Sequence, residues 1–287
     1  MTGKIYWLAS YPKSGNTWMR VLLTNYLRNG DLPANINSLD GGPIASARKA
    51  FDDNVGIEAS DLTRAEIELY RPFVYEQLSA KSKEPLFLKV HDAFTYTPAG
   101  YPLISKNATG GVLYLIRNPL DVAVSFAHHS AIPVKRMVKR MGDRNFSFVS
   151  NPNRLHNQLP QKLLTWHEHV TSWVDEPGLN VHIVRYEDMK ADPIRGFGDA
   201  IRFVGLEDDP KRIAKAVDFS RFERLKKQEE ESGFSEKAPQ AESFFRAGVS
   251  GSWREALAEP LAAKLIKDHG SVMKRFGYLT EAGELVY

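Results

Sequence analysis

Three short segments carry the residue types that chemistry on a phosphate-like anion requires. In SYPKSGNTW, from Ser10 to Trp18, Lys13 brings a formal positive charge and Gly15 permits a tight turn. Ser14, Asn16 and Thr17 add short hydrogen-bonding groups just before MRVLLTNYL, which reads as a helix. An apolar strand, a glycine turn and a helix start present backbone N–H groups to an anion. A capped helix after a turn accounts for Ser14, Asn16 and Thr17 equally well. The lysine inside the turn, directly after Tyr-Pro, favours the anion. The Walker A spacing GxxxxGK[ST] is absent, because Lys13 precedes the glycine.

The second segment is GGVLYLIRNPLDVAVSFAHH. Arg117 ends a strand, Asn118-Pro119 turns the chain, and Ser125 lies one to two turns into the following helix. A guanidinium offers phosphate a planar fork; Arg117 could equally pair with Asp121 to brace the helix start. A magnesium-binding Walker B strand would end in an acidic residue, and this one ends in arginine. The third segment, FLKVHDAF, places Lys89 and His91 near the carboxyl end of another strand. Strand alternation points both to the same side. A lone histidine is ordinarily structural, but this one is joined to a lysine at the sheet edge where the phosphate loop also opens.

Elements must gather these segments. Four short apolar runs read as strands: Ile5–Ala9, Leu86–Val90, Val112–Ile116 and Val181–Tyr186. Helical patterns lie between them at Thr17–Leu27, Arg64–Ser79, Leu120–His129, Gln161–Val174 and Pro193–Val204. Strands alternating with helices predict an α/β fold, a central parallel β-sheet flanked by helices, as one domain over residues 1–287. Ligands of such sheets bind beyond the carboxyl ends of the strands. Asp31–Val55 and Met141–Pro160 read as loops. Lys226–Ser243, with its charge run KKQEEE, is either a solvated helix face or a mobile flap.

Composition narrows the class. The 287 residues hold no cysteine, which removes disulfide scaffolds, thiolate metal sites, iron–sulfur clusters and cysteine nucleophiles. A net charge of +3 gives no support to nucleic-acid binding by the whole domain. The apolar start of MTGKIYWLASYPKSGNTW, about five residues, is shorter than the roughly 7–15 of a secretory signal and reads as a first strand. Together these predict a cytoplasmic enzyme with neither a membrane nor a nucleic-acid partner.

YPKSGNTW resembles the 5′-phosphosulfate loop of cytosolic-type sulfotransferases, which use 3′-phosphoadenosine 5′-phosphosulfate (PAPS), and the chain looks like a bacterial-like member. The resemblance implies a P-loop-NTPase-like sulfotransferase fold. It puts Lys13, Ser14, Gly15, Asn16 and Thr17 on the 5′-phosphate and sulfuryl oxygens and Trp18 on adenine. Asn16 stands where the family usually has threonine. The RNP segment is similar to the family's 3′-phosphate signature, implying that Arg117 and Ser125 hold that phosphate. LKVH matches the family Lys-x-His element, with His91 as general base and Lys89 on the sulfuryl group. RYEDMKADP and SRFERLKK resemble the adenine-side segments and assign Tyr186, Ser220 and Phe222. FFRAGVSGSW resembles the C-terminal element that closes on the 3′-phosphate, through Arg246 and Gly248, but Ala247 replaces its lysine.

The implied reaction is in-line transfer of a sulfuryl group from PAPS to a hydroxyl of a small-molecule acceptor, leaving adenosine 3′,5′-bisphosphate (PAP), with no metal. Lys13, Lys89 and the loop N–H groups would stabilise the growing charge, and Lys226–Ser243 would serve as a lid. A P-loop-type small-molecule kinase and a non-catalytic nucleotide-binding module are the alternatives. The former predicts ATP turnover with magnesium, and the latter leaves Lys89-x-His91 unexplained. Tyr96, Phe126 and Phe244 either line an apolar acceptor pocket or fill the core. The family's C-terminal dimer motif is absent after Trp253, so an oligomer is open but that dimer is not implied.

Overall fold

A computed structural model describes residues 3–97, 99–149, 155–238, 240–246 and 248–286. In chain order its elements begin with β1 (Ile5–Ser10), α1 (Asn16–Arg28), α2 (Arg48–Val55), α3 (Arg64–Lys81), β2 (Leu86–Val90) and β3 (Thr109–Ile116). Next come α4 (Pro119–His129), α5 (Val134–Met141), β4 (Ser147–Phe148), β5 (Gln161–Lys162), α6 (Trp166–Val174) and β6 (Val181–Arg185). The remainder is helical: α7 (Tyr186–Ala191), α8 (Pro193–Phe203), α9 (Pro210–Phe219), α10 (Phe222–Ser232), α11 (Trp253–Ala256) and α12 (Glu259–Arg275).

The expected α/β architecture is present, with a central parallel sheet in the order β2-β1-β3-β6 among the described residues. β1 and β2 pair in parallel, with Leu8 opposite Lys89 and Ala9 opposite Val90. Five of the six residues of β1 are buried, as expected of a strand covered on both faces. No helix among the described residues is long and apolar enough to cross a membrane.

The contacts resolve into two compact units. The first holds residues up to Tyr11, Gly41–Tyr114 and Arg144–Ile183. One of its clusters joins Phe51, Ala59, Ile67, Val74 and Leu159, and α3 starts at a capping box between Thr63 and Glu66. The second holds Pro12–Asp40, Leu115–Asp143 and Val184–Tyr287. In one of its clusters Val21, Ile36, Leu225, Phe234 and Phe245 are buried together.

Several boundaries differ from the sequence reading, each for a local reason. The helix expected over Gln161–Val174 begins at Trp166, because Thr165 and Glu168 form a capping box. Gln161 and Lys162 instead pair antiparallel with β4. The fourth strand ends at Arg185, and Tyr186 opens α7. The loop expected over Asp31–Val55 contains α2. All of KKQEEE lies on α10, with Lys226–Glu230 and Lys227–Glu231 pairs along its exposed face, so apart from the buried Glu229 that run is a solvated helix face. Phe126 is fully buried core. Tyr96 is half-exposed and hydrogen-bonds to Glu176.

Candidate active site

In the second unit the turn before α1 runs through two left-handed residues. Lys13 adopts φ +72° and Gly15 φ +101°, both left-handed. A Cβ on Gly15 would meet the Tyr186 ring at 2.9 Å, so this position requires glycine twice over. α1 has no side-chain cap and no acidic residue in its first turn. Its positive dipole end therefore has no carboxylate of its own first turn beside it. Ser14 is buried, and its Oγ has no hydrogen-bond partner among the described residues. Asn16 and Thr17 are buried in the first turn, and Lys13 is half-buried. The Lys13 ammonium lies 4.0 Å from the centre of the Phe244 ring.

Arg117 is held against this turn. One guanidinium nitrogen donates to the Lys13 carbonyl at 3.3 Å and another to the Val249 carbonyl at 3.0 Å. Its Nε is buried without a hydrogen-bond partner among the described residues, and the guanidinium carbon lies 4.3 Å from the Tyr186 ring centre. Asn118 caps α4 through Leu120 N–H, while its own N–H donates to Glu187. Glu187 also accepts from the Tyr278 hydroxyl at 3.1 Å. Burial raises the Glu187 carboxyl above its ordinary pKa, against the donors that stabilise its charge. Ser125 lies half-buried on α4.

Aromatic residues collect beside the turn. Trp18 and Tyr186 meet at 5.8 Å between ring centres, at 67°. The Trp18 indole N–H donates to the Ser220 carbonyl at 3.0 Å. The Ser220 hydroxyl donates to the Ala216 carbonyl and accepts from Asn25 Nδ2, so this residue also anchors Trp18. Gly248 adopts φ +61°, and a Cβ there would fall 2.3 Å from the Phe222 ring. Arg246 is exposed. Ala247, which stands in place of the family lysine, lies outside the described residues. The structure therefore brings Lys13, Ser14, Gly15, Trp18, Arg117, Tyr186, Ser220, Phe222 and Gly248 into one connected neighbourhood of the second unit.

In the first unit, Lys89 and His91 are both half-buried at the carboxyl end of β2. His91 Nδ1 lies 2.9 Å from the Ser10 carbonyl oxygen and 3.3 Å from Ser10 Oγ. A carbonyl only accepts, so Nδ1 carries the hydrogen, and the lone pair of the neutral ring is at Nε2. The next residue, Asp92, is fully buried in a two-pronged pair with Arg71 at 2.8 and 2.9 Å. Arg71 Nε donates to the Tyr75 hydroxyl, which donates to the Ala45 carbonyl. Burial works against the Arg71 charge, but Asp92 and Tyr75 outweigh it and its pKa rises. Burial pushes the Tyr75 phenol up to about 12.

Sequence reasoning offers Asp121 only as a partner for Arg117, and does not single out Glu187 or Glu229 as supports. Asp121 accepts from Gly251 N–H, Ser252 Oγ and Trp253 N–H. Glu229 accepts from the backbone N–H groups of Phe244 and Phe245 and so shapes the segment after α10. Asp121 and Glu187 both fall inside motifs already singled out, and their acidity beside a predicted anion site was the available signal.

The family described as the sulfotransferase domain matches residues 4–277. Among its relatives, a flavonol 3-sulfotransferase of Flaveria bidentis is 22% identical over 91% of this chain and 78% of its own. A luciferin sulfotransferase of Photinus pyralis is 24% identical over 90% of this chain and 68% of its own. In fold the chain is similar to mouse sulfotransferase SULT7A1 complexed with PAP, with a TM-score of 0.61 at 17% identity over 98% of this chain and 87% of that one. It is also similar to retinol dehydratase in complex with androsterone and inactive cofactor PAP, with a TM-score of 0.61 at 20% identity over 96% and 82%.

Proposed function

This chain belongs to the sulfotransferase-domain family, and from that premise we propose that it transfers a sulfuryl group from PAPS to a hydroxyl of a small-molecule acceptor. We read residues 1–287 as one such domain, resident in the cytoplasm. The observation that carries the reading is the buried Ser14 Oγ without a partner, in a lysine-bearing turn before an uncapped helix start. Such a group costs about 1–3 kcal/mol unless something pairs with it. A phosphosulfate oxygen supplies that partner, and the glycine-only geometry at Gly15 fits the same anion.

In this reading Lys13, Ser14, Gly15, Asn16 and Thr17 hold the 5′-phosphosulfate. Trp18, Tyr186 and Phe222 enclose adenine, with Ser220 acting on it partly through Trp18. Arg117, Ser125, Arg246 and Gly248 take the 3′-phosphate, where Ala247 withholds one cation and lowers donor affinity. When bound, PAPS supplies an activated sulfuryl group that passes in line to the acceptor oxygen and leaves PAP. His91 takes the acceptor hydroxyl proton at Nε2, the nitrogen that the Ser10 carbonyl leaves with its lone pair. Lys13 and the loop N–H groups stabilise charge growing on the 5′-phosphate oxygen, and Lys89 does so on the sulfuryl oxygens. The flavonol and luciferin relatives support a small hydroxylated acceptor. The segment after α10, tied back by Glu229, is our candidate for a lid that excludes water.

The test is incubation of the protein with PAPS and a panel of phenols, alcohols and sugars, scored for sulfated product and PAP. We expect turnover, PAP binding stronger than ATP binding, and a loss of about 10²–10⁴ in kcat for His91→Ala with PAP binding intact. ATP-dependent phosphorylation would instead indicate a kinase. PAP binding without turnover on any acceptor would indicate a binding module.

A further inference from the structure

After β2 ends at Val90, the chain leaves the sheet, and the backbone groups of residues 91–94 need partners elsewhere. One face of α6 provides three of them. His169 Nε2 lies 3.1 Å from the His91 carbonyl oxygen. Trp173 Nε1 donates to the Asp92 carbonyl at 2.9 Å. Ser172 Oγ accepts from the Phe94 N–H at 3.0 Å. Residues 169, 172 and 173 stand at the three- and four-residue spacings that place side chains on one helix face.

His169 is fully buried, and its protonation pattern follows from its partners. The His91 carbonyl can only accept, so His169 Nε2 carries the hydrogen. Its Nδ1, 2.8 Å from the Tyr114 oxygen, then accepts from that hydroxyl. The Tyr11 ring packs edge-on against the imidazole at 5.4 Å. A chain of two hydrogen bonds thus runs from Tyr114 on β3 through His169 to the peptide of His91.

We propose that His169 is a positioning residue for His91: bonded to Tyr114 and to the His91 carbonyl, it fixes the peptide that carries the proton acceptor. The His91 ring is held at Nδ1 by Ser10, and its backbone is held at the carbonyl by His169. Two fixed points leave Nε2 one direction in which to face an acceptor. An aliphatic residue at 169 fills space but leaves the His91 carbonyl and the Tyr114 hydroxyl without their partner. This inference rests on the reading of His91 as the base.

The test compares three variants in sulfuryl transfer, PAP calorimetry and thermal unfolding. His169→Leu should lower kcat at least about tenfold, as expected when a reacting group is displaced, with PAP affinity unchanged. His169→Gln, which can donate at one end and accept at the other, should restore kcat to within about threefold of the parent. Trp173→Phe, which frees the neighbouring Asp92 carbonyl, should lower Tm while leaving kcat within about threefold. Equal kcat losses in His169→Leu and Trp173→Phe at matched loss of Tm, or unchanged kcat in His169→Leu, would overturn the proposal. If His169→Leu does not fold, His169→Gln against Trp173→Phe makes the same comparison, and failure of Gln to preserve kcat overturns it. Histidine ¹⁵N spectra give a readout independent of turnover. His91 should be the Nδ1–H tautomer in the parent and in His169→Gln, and mixed in His169→Leu; the same pure tautomer in all three would count against the proposal even if no acceptor were turned over.

Discussion

Arg117 and Asp121 stand 4.0 Å apart, at the outer limit of an ion pair. The aspartate is committed elsewhere, to two backbone N–H groups and one hydroxyl between Gly251 and Trp253. Its work is to hold the segment whose Val249 carbonyl in turn accepts from Arg117. Asp121→Ala should cost about 2–4 kcal/mol of stability, since several donors to a buried carboxylate lose their acceptor together. Thermal unfolding checks this. Calorimetry should show PAP affinity falling at least about tenfold, because Arg117 loses its fixed backdrop. A variant with parental Tm and affinity would refute the assignment.

Gly15→Ala tests the loop without touching any charge. At φ +101° with Tyr186 at 2.9 Å, the added methyl must move either the turn or the ring. Forcing a non-glycine residue into a left-handed conformation costs about 1–3 kcal/mol. Because the turn and Tyr186 both belong to the nucleotide site in our reading, PAP affinity should fall by more than the Tm change implies. Titration of PAP into the folded variant measures it.

Asp92→Ala leaves Arg71 charged and buried without its partner, at an expected cost of about 3–5 kcal/mol. Replacing both residues with apolar ones of similar volume should recover much of that loss. Chemical denaturation of the single and double variants decides between a pairing role and mere filling of space.

His169 sets a pH dependence with a definite sign. Burial lowers its pKa from 6.5 to about 4, against the hydrogen bond to the His91 carbonyl, which works to raise it. Between those values the unfolded chain binds a proton that the folded chain excludes, so stability rises with pH there. It is therefore fully present above about pH 6.5 and lost on acidification toward pH 4, by on the order of 3 kcal/mol. Unfolding free energies measured across that range should fall on the acid side, and His169→Gln should flatten this part of the curve.

Much of the anion chemistry was legible in the order of residues. A strand, a lysine in a glycine turn and a helix start are contiguous, so SYPKSGNTW displays its geometry locally, and the same holds for Arg117-Asn118-Pro119 and Lys89-Val90-His91. The expected helix starts at Arg64, Leu120 and Pro193 lie within two residues of the capping Thr63, Asn118 and Asp192, whereas Gln161 lies four residues before the Thr165–Glu168 capping box and α9, capped by Asp209, had no counterpart among the expected helices. The tertiary structure decided what pairs with what. Ser10 and His91 are 81 residues apart, His169 and His91 are 78, and Asp121 and Gly251 are 130. Nothing in the local pattern of those residues announces the partner. The need is created only when a strand ends and its carbonyls leave the ladder, or when a carboxylate is buried and must find donors. Residue types determined which charges stand near the phosphate-loop turn; the path of the folded chain decided which nitrogen of His91 faces the Ser10 carbonyl and which donors Asp121 takes, because those partners lie far away in the sequence.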